Sequence, residues 1–146
     1  MSRRVSIVKA LAEVFKTIDG TSPYTINLFN NSYPKLKFWD EIQDFPAVYI
    51  HPTGETRDYQ LAGFAWGMLG VCIKVYVKSE DESQEQLEAL LTDLETCIDL
   101  NRQLIYDSTN QYGTTEILID SITTDEGLLT PYAVGEIILQ VRYQIM

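Results

Sequence analysis

The stretch Val71-Cys72-Ile73-Lys74-Val75-Tyr76-Val77-Lys78 alternates without a break: Val71, Ile73, Val75 and Val77 on one side, Cys72, Lys74, Tyr76 and Lys78 on the other. Successive side chains of an extended chain point to opposite faces, so this stretch predicts a strand whose β-branched side is core. Four residues later the rhythm changes. Leu87, Leu90, Leu91, Leu94, Cys97 and Ile98 recur at the three- and four-residue spacing that gathers side chains on one helical face, which predicts a helix running to about Leu100. Ser83 followed by Gln86 fits a capping box at its start, and acidic residues crowd the first turn, where the helix dipole favours them.

Toward the N-terminus, Val5, Val8, Leu11, Ala12, Phe15 and Ile18 repeat the helical spacing, with Gly20 and Pro23 as stop signals. A first helix from about Ser2 to Asp19 is predicted. Tyr24, Ile26 and Leu28 alternate with Thr25 and Asn27, which predicts a short strand broken at Asn30-Asn31-Ser32. Phe45 to His51 (FPAVYIH) is a second strand, with Pro46 suited to its first residue or to an edge. Pro52 to Gly67 carries Gly54, Gly63 and Gly67, the charges Glu55, Arg57 and Asp58, and the aromatics Tyr59, Phe64 and Trp66. A connection this long is either a functional loop or two strand ends around a wide hairpin turn, and its residues leave both readings open.

Toward the C-terminus, Glu116 to Thr124 and Ala133 to Ile145 read as strands around the turn Asp125-Glu126-Gly127. In the last strand Ile137, Leu139, Val141, Tyr143 and Ile145 share a face. The order is α-β-β-β-α-β-β. It predicts one α+β domain over residues 1–146, a mostly antiparallel sheet with two amphipathic helices packed on one face.

A chain of 146 residues with 45% hydrophobic and 22% charged residues buries enough surface to fold without disulfides or metal. Its formal charge of -10 excludes a general nucleic-acid binder and a protein that docks on anionic membrane, both of which need a cationic face. Cys72 and Cys97 lie in apolar-patterned segments and read as reduced core thiols. No apolar run reaches the roughly 18 residues of a membrane helix. Lys9, Glu13 and Lys16 interrupt the run a secretory signal requires, so the chain is expected to stay in the cytoplasm where it is made.

Catalytic chemistry finds no constellation. The lone histidine, His51, precedes Pro52 at a strand end and has no G-x-S-x-G elbow to serve, so it reads as a surface or turn residue. Cys97 has Glu95 and Asp99 beside it, which raise a thiol pKa, and Cys72 follows an apolar run. Two cysteines and one histidine lack zinc-site spacing, Glu80-Asp81-Glu82 lacks a calcium loop, and the glycines match no phosphate cradle. No enzyme, cofactor or metal is expected.

Charge is uneven instead. Arg3, Arg4, Lys9 and Lys16 against Glu13 give residues 1–16 a balance of +3, whereas residues 80–99, with Glu82, Glu85 and Glu88 among eight carboxylates and no base, stand at -8. Either the two helices neutralise each other within one subunit, or the opposite surfaces meet between copies in a head-to-tail contact. Phe64 and Trp66 likewise either enter the core with the following strand or serve an interface.

The whole pattern resembles the tail terminator (tail completion) proteins of long-tailed bacteriophages. The resemblance rests on the helix SIVKALAEVF, the strand Phe45-Pro46-Ala47-Val48-Tyr49-Ile50, the Val71 to Lys78 strand running into an acidic-started helix, and the closing hairpin. It implies a structural virion protein at the tail–neck junction, made in the host cytoplasm, whose subunits form a hexameric ring on the finished tail tube. That ring stops tube polymerisation and offers a joining surface to the head connector. The family's mobile loop, ordered on assembly, maps onto Thr53 to Trp66. On this reading Glu55, Arg57, Asp58, Tyr59, Phe64 and Trp66 contact the tube or a neighbour, Arg3, Arg4 and Lys9 face Glu82, Glu85 and Glu88 of another copy, and changing Phe64 and Trp66 impairs tail joining while folding survives. Six copies, each of charge -10, would let DNA pass through the bore without adhering. Competing readings are another neck or head–tail joining protein, an acidic DNA-mimic inhibitor, and a small hydrolase or metal enzyme.

Overall fold

The computed structural model describes residues 2–145. Its elements are α1 (Arg3–Phe15), β1 (Ser32–Tyr33), β2 (Ala47–Tyr59), β3 (Ala65–Lys78), α2 (Ser83–Leu100), β4 (Ile105–Asp107), β5 (Tyr112–Thr124) and β6 (Tyr132–Ile145). The sheet order is β1-β2-β3-β6-β5-β4, antiparallel throughout except for the short β1–β2 pair. The α+β architecture and the α-β-β-β-α-β-β order follow the sequence reading, except that the first strand is the short β1 at Ser32–Tyr33 in place of residues 24–28 and a further short strand, β4, precedes β5.

Both helices lie on the same face of the sheet. Ile7, Leu11 and Phe15 of α1 and Leu87, Leu90, Leu91 and Leu94 of α2 join Val71, Ile73, Val75, Ile137, Leu139 and Val141 in one buried cluster. The predicted core side of β3 is therefore the helix side. Gly135 lets α2 approach closely, since a Cβ there would stand 3.1 Å from Leu87 Cδ1. The opposite face is covered at one end only. There Tyr49 and Tyr76 pack with Ile42 and Ala47, and Tyr76 donates a hydrogen bond to the Lys37 carbonyl.

Four local expectations are corrected. The first helix ends at Phe15, not Asp19; Lys16, Thr17 and Ile18 turn out of it, donating to the carbonyls of Glu13, Val14 and Phe15. Ile18 keeps the helical rhythm because it stays buried through that turn. The predicted strand at 24–28 is irregular, with one isolated bridge between Asp19 and Asn27. Its alternation reflects a half-buried path, because the donors go elsewhere: the Asp93 carboxylate of α2 accepts from Thr25 N at 3.1 Å and Ile26 N at 2.7 Å. Ser83 makes no capping box, because it is a buried helical residue preceded by Glu82 as the cap, and Ser79 Oγ accepts from Glu82 N instead. Finally, β5 begins at Tyr112 and not at Glu116, because β4 pairs with its first residues.

Candidate assembly surface

The segment Pro52 to Gly67 resolves into a hairpin, the second of the two readings its residues allowed. β2 runs on to Tyr59 and β3 starts at Ala65, in register from Glu55 opposite Leu69 to Tyr59 opposite Ala65. β6 backs this arm to its end, with Ala65 opposite Ile145. The reading of Thr53 to Trp66 as a loop is thereby corrected: most of it is strand, and three strands share the arm's ladder bonds. Only Gln60–Phe64 lies outside strands. It is closed by Gln60 N donating to Phe64 O at 2.9 Å, and Ala62 and Gly63 take positive φ of 68° and 84° to make the reversal.

A bulge between Pro52 and Glu55 turns Glu55 inward. Its side chain is only 8% exposed and gathers Arg4 at 3.4 Å, Arg57 at 3.6 Å and the hydroxyl of Tyr143, which donates to it. Burial and the adjacent carboxylate hold that phenol well above its ordinary pKa, so it remains a donor. Arg4, Arg57, Glu55, Pro52, Gly54 and Leu69 line an open cleft of about 390 Å³ beside the arm. Glu55 therefore braces the arm against α1 and β6.

The remaining candidates divide by position. Arg57 and Asp58 are exposed along the arm, and Tyr59 is 72% exposed at its tip. Phe64 and Trp66 are half-buried on the face away from the helices, edge to face at 5.7 Å, with the Arg142 guanidinium 4.2 Å over the Trp66 ring. They do not enter the helix-side core. Phe64→Ala together with Trp66→Ala is accordingly expected to cost about 2 kcal/mol, the sum of an aromatic pair and a cation–π contact. Chemical denaturation checks it, and a chain that no longer folds at room temperature would assign both rings to the core.

Arg3 donates to the Gln144 carbonyl at 3.1 Å and stacks on Tyr112. Lys9 is exposed beside Pro34 and Pro52. Glu82, Glu85 and Glu88 are exposed at the start of α2. Among the described residues no ion pair joins α1 to α2; the basic start of α1 lies against the arm and β6 with Arg4 still half exposed, and the acidic start of α2 lies at the far end of the sheet.

His51 is not at a strand end but within β2, opposite Cys72, and half-buried with no hydrogen bond to Nδ1. Burial, followed by the neighbouring Lys74, lowers its pKa. The Cys72 thiol is pushed up to about 11 by burial and by the Glu136 carboxylate, 3.4 Å away, which keeps it protonated and unreactive. Lys74 holds the other oxygen of Glu136 at 2.8 Å.

Sequence reasoning overlooked Arg142 and Tyr143, which complete the arm, and the exposed apolar residues Leu36, Phe38, Trp39 and Leu128 at the opposite end. The signal for the second group was legible. Leu36, Phe38 and Trp39 stand between Pro34 and Pro46 in a segment with no strand or helix pattern, where large apolar residues have no regular element to bury them.

Three comparisons bear on this arrangement. In fold, the chain is similar to a chain from the virion of native gene transfer agent (GTA) particle, with a TM-score of 0.63 at 10% identity over 99% of this chain and 100% of that one. In sequence, it is 39% identical over 153 residues to the tail tube terminator protein p142 of Escherichia phage T5, covering 99% of this chain and 95% of that protein. The family described as Bacteriophage Tail Tube Terminator Protein matches residues 1–146. With a family match over residues 1–146 and 39% identity to a relative across 99% of its length, the chain belongs to the bacteriophage tail tube terminator proteins.

Proposed function

We propose that this structural virion protein, a single unit over residues 1–146, assembles as a hexameric ring on the finished tail tube. The ring ends tube polymerisation and presents the head-to-tail joining surface to the connector, at the tail–neck junction of a particle put together in the host cytoplasm. The full-length family match carries the reading. The surface supports it, because a subunit working through geometry needs a stiff projection and complementary surfaces, and the Glu55 brace and the separated charges supply both. In this reading the arm residues Glu55, Arg57, Asp58, Tyr59, Phe64 and Trp66 serve the tube or a neighbouring copy, Glu55 by stiffening the arm from within. Arg3, Arg4 and Lys9 face Glu82, Glu85 and Glu88 across a subunit boundary. A net charge of -10 per copy lets DNA traverse the ring without specific binding.

Micrographs of particles made without this protein test the assignment. Overlong, headless tails are expected. Tails of normal length that fail to hold DNA-filled heads would make the chain a neck component instead.

A further inference from the structure

The β3 strand, Ala65–Lys78, runs from one end of the sheet to the other, a span of about 45 Å at the usual rise per residue. The two ends differ in charge and both expose apolar side chains. At the arm end Tyr59 is 72% and Leu61 92% exposed. Arg3, Arg4, Arg57 and Arg142 surround that end; of its carboxylates, Glu55 is held by Arg4 and Arg57, Asp107 lies within the field of Arg3, and Asp58 is exposed on the arm beside Tyr59, so the arginines offset the acid there. At the far end Phe38 is 59% and Leu128 85% exposed. Trp39, next to Phe38 in the chain, packs on Tyr132 at 5.3 Å, and Leu128 lies in the turn that leads into Tyr132; Asp40, Glu41, Glu80, Asp81 and Glu126 in the adjoining segments are all exposed. Lys35, Lys37 and Lys78 offset only part of that charge, and Lys78 is placed over the Tyr132 ring.

We infer that the arm end of one copy seats on the far end of a second copy, with Tyr59 and Leu61 covering the apolar patch of Phe38 and Leu128 and the arginines meeting the carboxylates. The inference rests on the ring reading and names its contact. Pairing like ends would set arginine against arginine or carboxylate against carboxylate, which costs free energy on approach, whereas unlike ends match in both charge and apolar character. A contact between two different surfaces propagates head to tail and closes into a ring when its rotation permits. The sheet's own polarity, which no local stretch of sequence displays, thus sets the direction of assembly.

Two variants test this, each altering exposed side chains only: Tyr59→Asp with Leu61→Asp, and Phe38→Asp with Leu128→Asp. Thermal melts first establish that each folds as the wild type does. Sedimentation at low salt, with and without purified tail tubes, then reads assembly. Each variant alone is expected to remain monomeric, and an equal mixture is expected to form species of twice the monomer mass and nothing larger, since each pair retains one intact contact. Self-association of the Phe38/Leu128 variant would mean that arm ends pair with each other, and a mixture that stays monomeric would mean that the arm meets the tube; either overturns the inference. If both variants assemble as the wild type does, the contact lies elsewhere while the ring reading stands. A wild-type chain that assembles in neither condition sinks the ring reading itself.

Discussion

Asp93→Ala is expected to lower the unfolding free energy by about 3 kcal/mol, given that hydrogen bonds to a charged acceptor are worth roughly 1.5–3 kcal/mol and that unpaired donors add their own cost. Asp93 is 2% exposed in the middle of α2. Its two oxygens accept from Thr25 N, Ile26 N and the Thr25 hydroxyl, so one carboxylate does for residues 24–28 what a neighbouring strand would otherwise do. Removing it strands two backbone donors and releases the segment that carries the chain from α1 to β1. For a domain of this length the loss corresponds to a drop of roughly 10 °C in melting temperature. Calorimetry checks it. A change below about 1 kcal/mol would mean that Tyr24, Ile26 and Leu28 hold the segment by apolar contact alone.

Gly67→Ala is expected to cost about as much, by a different route. A Cβ at Gly67 would stand 2.7 Å from Tyr143 Cε1, 2.9 Å from Tyr143 Cζ and 2.8 Å from Ile145 Cδ1. The Tyr143 ring cannot yield freely: it is 2% exposed, lies edge to face with Tyr106 at 6.1 Å, and donates its hydroxyl to Glu55. Overpacking alone costs roughly 1–3 kcal/mol, and a displaced ring also gives up the bond that braces the arm, for a total of about 3 kcal/mol. A double-mutant cycle isolates the cause. In a Tyr143→Leu background the same Gly67→Ala change should cost less, because the ring it strikes is gone and only the flexible end of Ile145 has to give way. Equal costs in both backgrounds would trace the loss to Ile145 or the backbone instead of the ring. Since the brace positions the arm, Gly67→Ala should also weaken assembly at temperatures where the chain is still folded.

In both cases a polar group is buried by a partner distant in sequence, Asp93 by Thr25 and Ile26, Tyr143 by Glu55. Neither residue stands out in the amino-acid string, where Asp93 is one more carboxylate in an acidic helix and Tyr143 one more apolar position in an alternating strand.

What the sequence determined by itself was periodic. The leucine stripe of α2, the α1 stripe from Val8 to Phe15 and the alternation of β3 and β6 identified their elements and the buried face of each, because helix and strand geometry tie side-chain direction to spacing along the chain alone; Val5, read into the same stripe, is 42% exposed at the helix start. The order of elements and the resemblance to tail terminators followed from those segments. Tertiary structure decided where hydrogen-bond partners come from. It placed β6 beside β3, which carried the strands on past Pro52 and turned a glycine-rich stretch of indeterminate pattern into a braced arm. It supplied Asp93 to residues 24–28 and so cancelled a strand that alternation alone had predicted. It also set Arg3 and Arg57 at one end of the sheet and Glu80 and Glu126 at the other. Spacing is a local property of the chain, whereas the partner of a backbone donor and the end of the molecule on which a charge sits depend on segments brought together from across its whole length.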